Sequence, residues 1–165
     1  MATKSEITDG IRQVEERLQR LLPGIRSHLE TPLPEGTWSV HDALCHLAAD
    51  SNAVPRWLAR IEALDAGRPA RAPGFNMDEH NQQNIDARKG KPIDEVVSEV
   101  TDGLHADAAV VGTMDEALLQ RQIPNFRGEM VEASEMLSFS AIRHNNIHLD
   151  DIEHALTGAS PAARA

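Results

Sequence analysis

The chain has 165 residues, 41% of them apolar and 3% aromatic, with no Tyr and a formal net charge of −10. That length fits one domain, residues 1–165 with a core over about 5–157, in which aliphatic side chains and Ala do the filling. A lone cysteine excludes an internal disulfide framework, the acidity without a Lys/Arg stripe argues against nucleic acid, and no stretch is long and apolar enough to cross a membrane.

The chain begins Met-Ala-Thr-Lys-Ser-Glu, without an apolar signal core, so a cytoplasmic location and no membrane partner are expected. Residues 5–30 read as a helix: Ile7, Ile11, Val14, Leu18, Leu22, Ile25 and Leu29 recur at spacings of three or four, and Pro23-Gly24 falls late enough to kink it. Thr31–Gly36 is a loop by its breakers. A second helix starts near Ser39, where Ser39-Val-His-Asp42 fits a capping box with Asp standing for Glu. It runs to about Gly67, with Val40, Leu44, Leu47, Val54, Leu58 and Ile61 as its stripe. Ala43, His46, Ala53 and Trp57 lie on an adjacent strip.

Residues 67–75 form a loop and 78–89 a short polar surface helix. A third long helix spans about Pro92–Val111, with Ile93, Val96, Val100, Leu104 and Val111 inward. Residues 112–130 read as irregular, with one helical turn at 115–120. The final helix runs from about Val131 to Thr157, closed by Gly158, and Ala159–Ala165 form a frayed tail. No segment alternates with period two over a strand's length. Four amphipathic helices with one long crossover make an all-α chain, a four-helix bundle.

His144 and His148 stand four apart on the last helix, about 40° and about 6 Å of rise from one another, which lets two ring nitrogens face one point. They continue the stripe Leu137, Ala141, Ile152 and Ala155. His46, on a strip of small residues, is a candidate third donor from another helix. The same spacing also fits buried histidines with ordinary hydrogen-bond partners. His41 lies on a different face of its helix from His46. His28, His80, His105 and His154 read as surface residues, and Cys45 as a small buried hydrophobe. Asp151 is placed to orient a ligand imidazole, while Asp150 reads as solvated charge. Trp38, Trp57, Phe75 and Phe126 are candidate pocket walls or plain core, and Arg143 either an anion contact or a surface ion pair. There is no His-Glu-x-x-His, Gly-x-Ser-x-Gly, phosphate loop or dinucleotide fingerprint.

Trp38-Ser39-Val40 followed by His46-Leu47-Ala48, with Arg143-His144-Asn-Asn-Ile-His148-Leu-Asp-Asp-Ile152 near the end, resembles the DinB-like superfamily. That superfamily includes the N-terminal domain of mycothiol-dependent maleylpyruvate isomerase and the bacillithiol S-transferases. Phe75-Asn76, the polar stretch to Arg88 and Ile93-Asp-Glu-Val-Val97 match its middle, so the resemblance covers roughly residues 5–157. It implies a four-helix bundle of up-down-down-up type, a homodimer, and a metal held by His46, His144 and His148. Zinc or nickel is the metal expected from the family; three imidazoles alone suit copper and iron as well. The metal would activate a low-molecular-weight thiol such as mycothiol for transfer to a small-molecule electrophile. The sequence given ends soon after the last helix, without the further domain of the isomerases, so their isomerisation is not expected.

A metal-dependent thiol S-transferase or detoxification enzyme is therefore the leading expectation. A metal-dependent hydrolase ranks below it, because no Glu stands beside the histidines as a general base. A non-enzymatic module that binds small molecules in stress protection is the third.

Overall fold

The computed structural model describes residues 2–69, 74–125 and 127–158. They are mostly helical: α1 (Lys4–Ser27), α2 (Val40–Asp50), α3 (Ala53–Asp65), α4 (Met77–Asp86), α5 (Ile93–Thr113) and α6 (Glu116–Leu119), then β1 (Gln122–Pro124) and β2 (Met130–Glu132), then α7 (Ala133–Ser138), a π-helical turn (Phe139–Arg143) and α8 (His144–Thr157). No helix among the described residues is long and apolar enough to cross a membrane. The frayed tail expected at 159–165 lies outside the described residues.

Helix α1 begins at a capping box in which Thr3 accepts from the Glu6 amide and the Glu6 carboxylate accepts from Thr3. Its stripe from Ile7 to Ile25 is buried as expected. The helix runs through Pro23 and stops at Ser27, three residues before the expected end. Leu29 follows the helix and packs against the core from outside it. In the loop beyond, the Leu33 amide bonds the Trp38 carbonyl and the Val40 amide bonds Thr31. Those bonds hold Trp38 in place beside the start of α2.

The expected single helix from Ser39 to Gly67 is two helices, α2 and α3, broken at Ser51-Asn52. The capping box at Ser39 and Asp42 opens α2 as read from the sequence. Pro55 favours the break, and Asp107 and Gly103 stabilise it. Its ring nitrogen has no proton to give Ser51, so a continuous helix would lose a bond there. As the third residue of a new helix the same proline is harmless, because that amide would have no helical partner. The other two leading amides of α3 are taken by Asp107, a buried residue of α5: Oδ2 accepts from Ala53 at 3.1 Å and Oδ1 from Val54 at 2.8 Å. Asn52, with φ 61°, makes no cap with its own side chain. Gly103, one turn before Asp107, lets this corner approach α5. A Cβ there would stand 2.3 Å from Ser51 Cβ and 2.7 Å from the Asn52 amide nitrogen. Ser51 Oγ closes the corner by donating to the carbonyls of Ala48 and Glu99.

Helix α5 is the central support: α1, α2 and α3 all pack on it. Val96, Val100, Leu104 and Val111 are buried along it, as their spacing predicts. Helix α8 lies against α1 and α2, which brings the two ends of the chain's chemistry together. The expected helical turn at 115–120 is α6. The irregular stretch after it contains a small antiparallel hairpin not anticipated from sequence, with Ile123 opposite Val131 and buried. Three residues per strand are too few for an alternation to be legible.

Candidate metal centre

The last expected helix, 131–157, starts at Ala133 and changes winding at Phe139–Arg143. There the His144 amide bonds the carbonyl five residues back, at Phe139. An extra residue in one turn rotates everything after it relative to what precedes it, and such turns are frequent at functional sites. The buried Asn145 side chain donates to the Ala141 carbonyl at 2.9 Å, serving the backbone at this transition. The core stripe of α8 consists of Asn145, Leu149 and Ile152. The expectation from sequence that His144 and His148 continue the buried stripe is corrected: neither belongs to it. They lie beside it, half-buried and turned toward α2.

His46, 2% exposed, meets them from α2. Its Nε2 is 3.3 Å from His144 Nε2, which is 3.2 Å from His148 Nε2. One donor atom from each of the three lies within 4.8 Å of the others. Desolvation lowers the pKa of His46 to about 4 and of His148 to about 3, and that of His144 in the same direction. The rings are neutral at pH 7, the form in which imidazole ligates a metal.

Hydrogen bonding does not account for this arrangement. A neutral imidazole nitrogen either donates one proton or accepts one. His144 Nε2 faces two other ring nitrogens and can satisfy only one of them. A shared cation satisfies all three. Tetrahedral zinc bonds of about 2.05 Å would separate two nitrogens by roughly 3.3–3.4 Å, close to the spacings observed. The donor set therefore fits a divalent ion.

Trp38 explains the Trp-Ser pair of the sequence motif. Its ring lies 4.9 Å from that of His46 and 5.8 Å from that of His148, backing both. Ser39, next to it, caps α2 and sets the phase of His46. Nδ1 of His46 and Nδ1 of His148 are buried without a hydrogen-bond partner among the described residues. These two rings are held by packing, with Trp38 against both. Asp150 pairs with Arg17 at 2.7 Å.

The carboxylate at the cluster is Asp50, which sequence reasoning missed. Its Oδ2 is 3.6 Å from His46 Nε2 and 3.8 Å from His144 Nε2. The signal was present: Asp50 follows His46 by four residues, one turn along the same helix face. Arg56 reaches back to donate to the carbonyls of Ala49 and Asp50 and lies 3.7 Å from Asp50 Oδ1.

A cavity of about 390 Å³ opens beside the cluster, with His46, His144 and Asp50 at one end and Trp57, Phe75 and Phe139 among its walls. Two of the four expected wall residues, Trp57 and Phe75, thus line it. Trp38 lies behind the histidines instead, and Phe126 lies outside the described residues. Phe139 was missed because its orientation depends on the π-helical turn. His80, read as a surface residue, is exposed yet also lines the cavity. His28 and His105 are surface residues as read, bonded to the Gly24 carbonyl and to Glu15. His41, expected on another face from His46, is buried too. Arg143 stacks 5.6 Å over the Phe139 ring. Cys45 is fully buried, and desolvation raises its thiol pKa to about 11, as a packing role requires.

Fold and site together define a helical protein with three converging imidazoles and one carboxylate at the end of a small cavity. No family model matches the chain, and no curated protein matches it. Among solved structures it is similar to an uncharacterized protein from Clostridium difficile 630. The TM-score is 0.68 at 12% identity, over 93% of this chain and 95% of that one. At that identity the likeness is one of fold.

Proposed function

We propose that this protein is a DinB-like four-helix bundle whose His46, His144 and His148 hold one zinc or nickel ion for reaction of a low-molecular-weight thiol with an electrophile. The observation that carries the metal is His144 Nε2 facing two other ring nitrogens at 3.2 and 3.3 Å, contacts that a single proton cannot satisfy. A divalent ion bound by three protein donors keeps an open position and lowers the pKa of a thiol or water placed there. The chain's own residues supply the rest. Trp38 and the core behind it exclude water from the back of the cluster, and the cavity leaves its front open to a substrate. The Trp-Ser…His and His-x-x-x-His resemblance supports the thiol and a homodimer.

Elemental analysis after loading with zinc or nickel should find one ion per chain, and none in His144→Ala. No metal in the loaded wild-type protein would remove this reading. Turnover of electrophiles should require added thiol.

Asp50 favours a second reading, a hydrolase. A carboxylate next to two of the donors is placed to accept a proton from water, the role for which the sequence offered no Glu. Turnover without thiol that is lost in Asp50→Asn would select it.

A further inference from the structure

The chain has two Trp and three Phe in 165 residues. Three of these five, Trp57, Phe75 and Phe139, line the cavity beside His46 and His144. A core built of aliphatic side chains has no packing need to gather its rings there. The indole of Trp57 is buried and fixed by its Nε1–H, which donates to Ser140 Oγ at 2.8 Å. Phe139 sits at the head of the π-helical turn, its ring centroid 6.4 Å from that of His144. Phe75 and Met77, each 39% exposed, leave large apolar side chains at the mouth. Two polar groups of the walls are engaged elsewhere: Ser140 accepts from Trp57, and Arg56 donates to two backbone carbonyls. The volume of about 390 Å³ falls in the usual range for small-molecule sites, roughly 300–1,000 Å³.

We propose that this cavity takes an aromatic ligand, with its ring among Trp57, Phe75 and Phe139 and its reacting or donor group at the histidine end. The inference rests on the metal reading and names the ligand class for the same site. Offset and edge-on contacts between rings add to plain apolar burial, so an aromatic ring should be preferred over a saturated ring of similar size.

Zinc uptake is measured first and by itself, on the full chain. Affinities of the zinc-loaded protein for acetohydroxamate, cyclohexanecarbohydroxamate and benzohydroxamate are then compared by calorimetry. The three probes share one metal-binding group and differ only in what enters the cavity. Benzohydroxamate should bind about tenfold or more tighter than acetohydroxamate, and about threefold or more tighter than the cyclohexane compound. Phe75→Ala, at the exposed mouth, and Phe139→Leu should each shrink both ratios. Equal affinity for all three probes, or ratios indifferent to both variants, overturns the aromatic ligand while leaving the metal in place. No zinc uptake overturns the metal reading instead.

Discussion

At the scale of the residue, the chemistry turns on imidazoles kept out of water. Burial lowers His46 to about 4 and His148 to about 3 from the ordinary 6.5, and His144 in the same direction. Protons therefore compete weakly for these donors. Zinc affinity should fall by less than about 30-fold between pH 7 and pH 5, where three ordinary imidazoles would lose about 10,000-fold. Competition with a chromophoric chelator at both pH values measures this. The metal-free protein carries the converse. Its depressed pKa values mean that the unfolded chain takes up protons first on acidification. This share of stability is present above pH 6.5 and is lost as pH falls toward 4 and then 3. Urea melts across that interval should show it, with a weaker decline when zinc is present.

Among the elements, the corner between α2 and α3 decides where the cavity lies. Pro55 disfavours one continuous helix, Asp107 caps the second, and Gly103 lets both approach α5. Asp107→Ala should cost about 2 kcal/mol by leaving two buried amides without acceptors. Gly103→Ala should cost roughly 1–3 kcal/mol, because the added Cβ meets the Asn52 backbone and Ser51 Cβ, neither of which is a flexible side-chain end. Denaturant melts give both values. If Gly103→Ala were neutral, the close approach would not be needed. The capping box of α2 was readable because Ser39 and Asp42 are local. The corner was not, since its cap comes from a residue more than fifty positions away.

For the whole molecule, the three histidines join α2 to α8 across a separation of 98 residues. An ion bound there stabilises only the folded chain. Saturating zinc should raise the melting temperature of the wild-type protein and leave His144→Ala unmoved. Leu104→Ala, a fully buried site on the helix that supports the others, should cost roughly 2–5 kcal/mol yet keep the zinc-induced shift. Calorimetry of the three proteins with and without zinc separates packing from metal binding. A zinc shift retained in His144→Ala would place the stabilising ion elsewhere.

The stripes of α1 and α5, the capping box at Ser39, the helical turn near 116 and the pairing of His144 with His148 were all legible in the chain. Each depends on neighbours within about four residues, where helical periodicity alone fixes direction. The break at Ser51-Asn52, the winding change at Phe139–Arg143 and the approach of Asp50 to His144 were decided by tertiary structure. They depend on α5 capping α3, and on α2 and α8 lying against each other. Such contacts between distant segments leave little trace in local spacing. Sequence spacing therefore nominated three histidines, and packing brought them to one point with a carboxylate and a ring-lined cavity.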